Sequence, residues 1–152
     1  MADTQRTTDQ GDIELRFERR FPHPPAKLWR ALTEPEHLGA WYPFPVEELD
    51  LRVGGIIRFR DPDGEPTDLY AEITELEPER VLAFTEFDAE TGAHRLRLTV
   101  EPDGAGSVLT FVHTFADNPW AEQTATGWKT CLDVLRSTLD GMPPQNSQNS
   151  PS

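Results

Sequence analysis

Apolar and polar residues alternate most cleanly near the start and near the end of the ordered part of this chain. Ile13, Leu15, Phe17 and Phe21 share one parity, with Glu14, Arg16, Glu18 and Arg20 on the other, and Arg19 is the single exception. This is the period of a half-buried strand. Far downstream, Leu109, Phe111, His113 and Phe115 alternate in the same way with Thr110, Val112 and Thr114. Between them the period switches. Pro24 and Pro25 suit a first helical turn, and Leu28, Trp29, Ala31 and Leu32 recur at helical spacing. Thr33 is placed to cap a second short helix, with Pro35 and Glu36 in its first turn and Leu38, Trp41 and Tyr42 on its apolar side.

Pro43 and Pro45 end the helical region. The pattern then predicts short strands over 46–51, 56–60, 69–76, 81–87 and 94–101, punctuated by Gly54-Gly55, Asp61-Pro62-Asp63-Gly64, Glu77-Pro78-Glu79-Arg80, Thr91-Gly92 and Asp103-Gly104. Tight turns favour an antiparallel meander, since parallel crossovers need a dozen or more residues. A final helix is expected from Asn118 as cap and Pro119 as first residue. Its stripe of Trp120, Thr124, Gly127, Trp128, Cys131, Leu132, Leu135 and Leu139 is closed by Gly141. The order implies an α+β layer fold with helices on one side of an antiparallel sheet. Residues 1–11 read as a flexible lead-in, 12–141 as one domain, and 142–152, with Pro143-Pro144 and a Gln/Asn/Ser run, as a disordered tail.

Composition narrows the functional classes. The chain has 152 residues and a net charge of −13, enough length for one core and too acidic a surface to favour phosphate backbones or anionic lipids. Nucleic acid and membrane are therefore not expected as partners. Four scattered histidines and one cysteine offer no zinc-type cluster, and no phosphate-binding glycine loop or nucleophile elbow is present, so neither metal nor cofactor is expected. With no signal segment and no long apolar run, the expected location is cytoplasmic. Sequence leaves monomer and homodimer both open.

Four stretches together resemble a known group. Residues 21–36, Phe-Pro-His-Pro-Pro-Ala-Lys-Leu-Trp-Arg-Ala-Leu-Thr-Glu-Pro-Glu, resemble a "P-x-x-x-V-W-x-A-L-T-D-P-E" opening, and Trp41 follows where a tryptophan is usual. Residues 48–55 resemble a "D-x-R-x-G-G" segment. Thr110 to Phe115, followed by Gly127-Trp128, resemble an "L-T-H-x-x-F…G-W" closure. The chain is thereby similar, over about residues 13–140, to the Bet v 1-like (START/SRPBCC) superfamily, in the group related to the C-terminal domain of the activator of Hsp90 ATPase. The resemblance implies a helix-grip fold: a curved antiparallel sheet of about seven strands around a long C-terminal helix, with two short helices after the first strand. It also implies a hydrophobic cavity between sheet and helix. A chaperone contact enters by analogy only.

The expected function is binding of a small hydrophobic or amphipathic molecule in that cavity, with a cyclase- or hydrolase-type enzyme or an Hsp90-activator-like interaction protein as alternatives. Trp41, Tyr42, Phe59, Phe84 and Phe111 are candidate wall residues or ordinary core, as is Leu98 beside them. From the last helix come Trp120, Thr124, Gly127, Trp128 and Cys131. His113 is the polar candidate, an acid/base group with an ordinary pKa near physiological pH or a core histidine. Glu86 is the weaker one, because parity in 81–87 leaves it either at the cavity or in solvent. His94 belongs to the pocket rim or to a turn-proximal surface. Gly127 implies either close approach of helix to sheet or space for a ligand, since a mid-helix glycine costs up to about 1 kcal/mol relative to alanine.

Overall fold

The computed structural model describes residues 3–88 and 92–142. The tail expected from 142 onward therefore lies, past Met142, outside the described residues. Eleven elements follow in the order β1 (Thr4–Thr7), β2 (Asp12–Phe21), α1 (Pro25–Thr33), α2 (Pro35–Trp41), β3 (Val46–Leu49), β4 (Ile56–Arg60), β5 (Pro66–Glu77), β6 (Val81–Asp88), β7 (Gly92–Asp103), β8 (Gly106–Ala116) and α3 (Ala121–Gly141). The eight strands form one antiparallel sheet in the order β1-β2-β8-β7-β6-β5-β4-β3. Consecutive strands from β3 to β8 are neighbours, as short turns require, and β2 closes onto β8 with Phe17 opposite Phe111 and Leu15 opposite His113.

The alternation seen in sequence becomes an inner and an outer face. Ile13, Leu15, Phe17 and Phe21 of β2 are buried, as are Leu96, Leu98 and Val100 of β7 and Leu109, Phe111, His113 and Phe115 of β8. The outer face carries charged pairs such as Arg97 with Glu75, bonded at 3.0 and 3.3 Å. One face is thus apolar and the other solvated, the usual economy of an antiparallel sheet. α3 lies on the inner face through Trp128, Leu132, Leu135 and Leu139, all buried. α1 and α2 close one end of the same core through Leu28, Ala31, Leu32, Leu38 and Trp41.

Several boundaries differ from the sequence expectation. The segment 1–11 is not merely a lead-in: Thr4–Thr7 pairs with β2, Thr4 opposite Arg16 and Thr7 opposite Ile13, giving eight strands where about seven were expected. All four residues of β1 are exposed, so no apolar parity marks the strand. The short helices consequently follow the second strand. Arg19, the misfit of β2, is held by Asp3, its Nη1 donating at 2.6 Å to Oδ1 and its Nη2 at 3.1 Å to Oδ2. The guanidinium in turn holds the Asp3 carboxyl below its usual range.

Thr33 does not cap α2. It is the last residue of α1, where its hydroxyl donates to the Trp29 carbonyl at 2.8 Å. Pro35 pushes the residue before it out of helical geometry, so extended Glu34 both ends α1 and begins α2. α3 begins at Ala121 rather than Pro119. Asn118 uses its side-chain oxygen to accept from the Trp120 amide at 2.8 Å, and Ala121 N–H reaches the Asn118 carbonyl at 3.3 Å, a turn that precedes the helix. At the other end Gly141 is the last helical residue, and Met142, extended, is the cap.

Candidate functional site

The first half of α3 does not seal against the sheet. Beneath it lies an open cavity of about 370 Å³, floored by the ends of β6, β7 and β8 and flanked by the segments before β3 and before α3. The helix contributes Thr124, Gly127, Trp128 and Cys131. The sheet contributes Glu86, Asp88, His94 and His113. Pro43 and Phe44 border it on one side, Asn118 and Trp120 on the other.

Gly127 decides between the two readings of a mid-helix glycine. A Cβ placed there would meet nothing within 4 Å, so no close approach to the sheet requires the residue. Gly55 shows what such a requirement looks like: a Cβ at that corner would fall 2.0 Å from the Asp50 carbonyl oxygen. Gly127 is exposed and borders the cavity, so a side chain there would enter open space.

The polar groups of the floor form two separate systems. In the first, the indole Nε1–H of Trp128 donates to His113 Nδ1 at 2.9 Å, and His113 Nε2 lies 2.9 Å from His94 Nδ1. An indole N–H can only donate, so His113 Nδ1 is unprotonated, the ring proton sits on Nε2, and that proton is given to His94 Nδ1. Burial, with a smaller contribution from His94, lowers the His113 pKa to about 3. Burial likewise lowers His94, against the charge of Asp88. His113 is therefore a neutral imidazole with both nitrogens engaged. This corrects the expectation of a near-physiological pKa, which assumed an unperturbed ring.

The second system is Glu86 with Tyr42. Parity in β6 resolves inward for Leu82, Phe84 and Glu86, while Phe87 is exposed. Glu86 is only 9% exposed, and the hydroxyl of Tyr42, arriving just after α2, donates to its Oε2. Burial raises the carboxyl to about 7, Asp88 adds to the rise, and the Tyr42 hydrogen bond opposes it. The Tyr42 phenol is itself pushed well above its ordinary value, first by burial and then by Glu86. Cys131 is half-buried, and burial raises its thiol too.

Thus His113, Glu86, Trp120, Thr124, Gly127, Trp128 and Cys131 come together at one cavity. The other sequence candidates, Trp41, Tyr42, Phe59, Phe84, Leu98 and Phe111, are core residues that do not line it. Trp41 is tied by its indole N–H to the Ala31 carbonyl at 2.9 Å. Tyr42 stacks on Phe59 with ring centroids 5.3 Å apart. Trp120, expected within the helical stripe, lies before the helix and is 53% exposed at the cavity mouth. Sequence reasoning missed Pro43, Phe44, Asp88 and Asn118 as wall residues. Asp88 had a usable signal, since it shares parity with Glu86. Pro43 and Phe44 sit between periodic segments and had none. Among the described residues no group of His, Cys, Asp or Glu is arranged to hold a metal ion, and no helix is long and apolar enough to cross a membrane.

Known proteins give the context for this arrangement. CalU16 from Micromonospora echinospora shares 22% identity with the chain at a TM-score of 0.74, covering 92% of this chain and 85% of its own. Protein CV1439 from Chromobacterium violaceum shares 26% identity at a TM-score of 0.71, over 85% of this chain and 98% of its own. Protein MLL2253 from Mesorhizobium loti shares 24% at 0.72, over 86% and 98%. No curated protein gives a significant sequence match. The sequence profile described as "Activator of Hsp90 ATPase homolog 1-like protein" matches residues 22–140, which span α1 through nearly all of α3. With a sheet that grips its terminal helix, the chain belongs to the activator of Hsp90 ATPase homolog 1-like family, within the Bet v 1-like superfamily.

Proposed function

We propose that the protein binds a small hydrophobic or amphipathic molecule in the cavity under the first half of α3. The observation that carries this reading is Gly127. Glycine in a helix interior costs up to about 1 kcal/mol relative to alanine, and here no neighbouring atom demands it. Its place on the border of the cavity supports a use as ligand space. The wall suits an amphipathic ligand: Phe44, Trp120 and Trp128 supply aromatic surface, and Glu86, Asp88, His94 and Asn118 supply polar groups.

Two tryptophans on the wall make the reading testable directly. A panel of hydrophobic and amphipathic compounds added to the full chain should quench tryptophan fluorescence and raise the melting temperature. A panel broad in shape and polarity that produces neither change would overturn the proposal.

One observation favours a second reading, an enzyme of cyclase or hydrolase type. Glu86 is a buried carboxyl at the cavity whose pKa near 7 suits it to exchange a proton at neutral pH. In that reading Glu86 is the acid/base group, Tyr42 its positioning residue, and His113, with both nitrogens occupied, orients His94. Turnover that survives in Glu86→Gln would remove this reading and leave binding untouched.

A further inference from the structure

The charged side chains on the cavity wall are of one sign. Glu86 and Asp88 reach it from β6, and among the described residues neither lysine nor arginine lines it. Tyr42 donates to Glu86 Oε2, and no other donor among the described residues bonds that carboxyl. No buried side-chain oxygen among the described residues lacks a partner, so Glu86 Oε1 opens onto the cavity instead of being sealed in the core. The groups packed around Glu86 bring no positive charge at neutral pH. His94 stands opposite in β7, and both it and His113 in β8 are held neutral by burial. Ala71 stands opposite in β5. Tyr42 after α2 and Cys131 on α3 are neutral, their acidities weakened by burial. Asp88 in the same strand adds only negative charge.

A buried carboxyl with one open oxygen, a second carboxylate beside it and aromatic faces around it match an ammonium group in charge, hydrogen bonding and cation–π attraction. An anionic ligand would meet the repulsion of both carboxylates, and a neutral one would gain hydrogen bonds without the charge attraction. We propose that the ligand is a small amphipathic amine, its ammonium held at Glu86 beside Asp88 and its apolar body lying against Phe44, Trp120 and Trp128. This rests on the ligand-binding reading above. The ammonium binds the ionised carboxylate, and Glu86 titrates at about 7. Affinity therefore rises about tenfold per pH unit below that point and levels above it.

The test compares three probes with one carbon skeleton, octylamine, 1-octanol and octanoate, titrated against the full chain by tryptophan fluorescence from about pH 5 to about pH 8. Octylamine should bind at least about tenfold tighter than 1-octanol at the upper pH, octanoate weakest, and the amine's advantage should vanish towards the lower pH. Glu86→Gln should bring octylamine down to the level of 1-octanol and abolish the pH dependence, and Asp88→Asn should weaken the amine less. The pH series on the unaltered protein carries the test if Glu86→Gln does not fold. 1-Octanol or octanoate binding as tightly as octylamine at the upper pH, or an amine affinity flat with pH, overturns the amine proposal while leaving the cavity reading in place. If none of the three binds, the amine proposal fails, and the cavity reading fails with it only if the broader panel also leaves fluorescence and melting temperature unchanged.

Discussion

The two halves of α3 face the same sheet and meet it differently. Leu132, Leu135 and Leu139 in the second half are essentially inaccessible, closed in by β2 and by the α1–α2 end of the core. In the first half only Ala121 and Trp128 are buried, while Thr124, Gly127 and Cys131 edge an open cavity. One helix thus does two jobs. Its second half supplies apolar burial, and its first half touches the sheet through Trp128 while leaving the cavity open beside it. A packed interior tolerates a void poorly, so the space under the first half is maintained by what surrounds it: the Trp128–His113–His94 chain on one side and Tyr42–Glu86 on the other.

Substitutions can break that contrast in order of size. Leu135→Ala removes a fully buried side chain from the sealed half and should cost about 2–5 kcal/mol in urea unfolding; a loss below about 1 kcal/mol would show that the second half is no better packed than the first. Glu86 gives the next effect, through pH. Its folded pKa of about 7 lies above the unfolded carboxylate value of 4.5, so the folded state binds the extra proton and stability falls as pH rises from about 4.5 to about 7. The fall attributable to Glu86 is on the order of 3 kcal/mol. His113 has the opposite sign: its pKa is lowered on folding, so its share of stability is complete above about 6.5 and is lost as pH falls towards about 3. Unfolding of Glu86→Gln across this range should lose the first slope and keep the second. A variant whose pH profile matches the parent's would contradict the buried carboxyl.

Two smaller effects probe the open half. Gly127→Ala adds a methyl where nothing stands within 4 Å, so it should stabilise the protein by about 0.5–1 kcal/mol through helix propensity alone. Destabilisation in a thermal melt would mean the helix does need the close approach. Cys131→Ala truncates a half-buried side chain on the cavity wall and creates no new enclosed void, so its cost should stay below about 1 kcal/mol. A cost like that of Leu135→Ala would erase the distinction between the halves.

The sealed half was readable from sequence because burial there follows period. Leu132, Leu135 and Leu139 recur at helical spacing, and β2 and β8 alternate cleanly, so each residue's environment is set by its own element. The open half was only partly readable. Gly127, Trp128 and His113 were found because a helical glycine and a histidine among apolar residues stand out locally. Glu86 was ambiguous, since Val81 and Ala83 on one parity of β6 are as apolar as Leu82 and Phe84 on the other. Its burial depends on Tyr42, 44 residues away on another element, and no local spacing encodes that meeting. β1 was invisible for the converse reason, as an edge strand exposed on both faces buries nothing that could leave a pattern.

The proposed binding function rests on the space beside Gly127. Titrating a hydrophobic fluorescent probe against the native chain and against Gly127→Leu, both folded by circular dichroism, tests it most directly. The leucine should project into the cavity and weaken the probe by at least about tenfold without lowering the melting temperature, since it replaces a helical glycine. Equal affinity in the two proteins would contradict the claim.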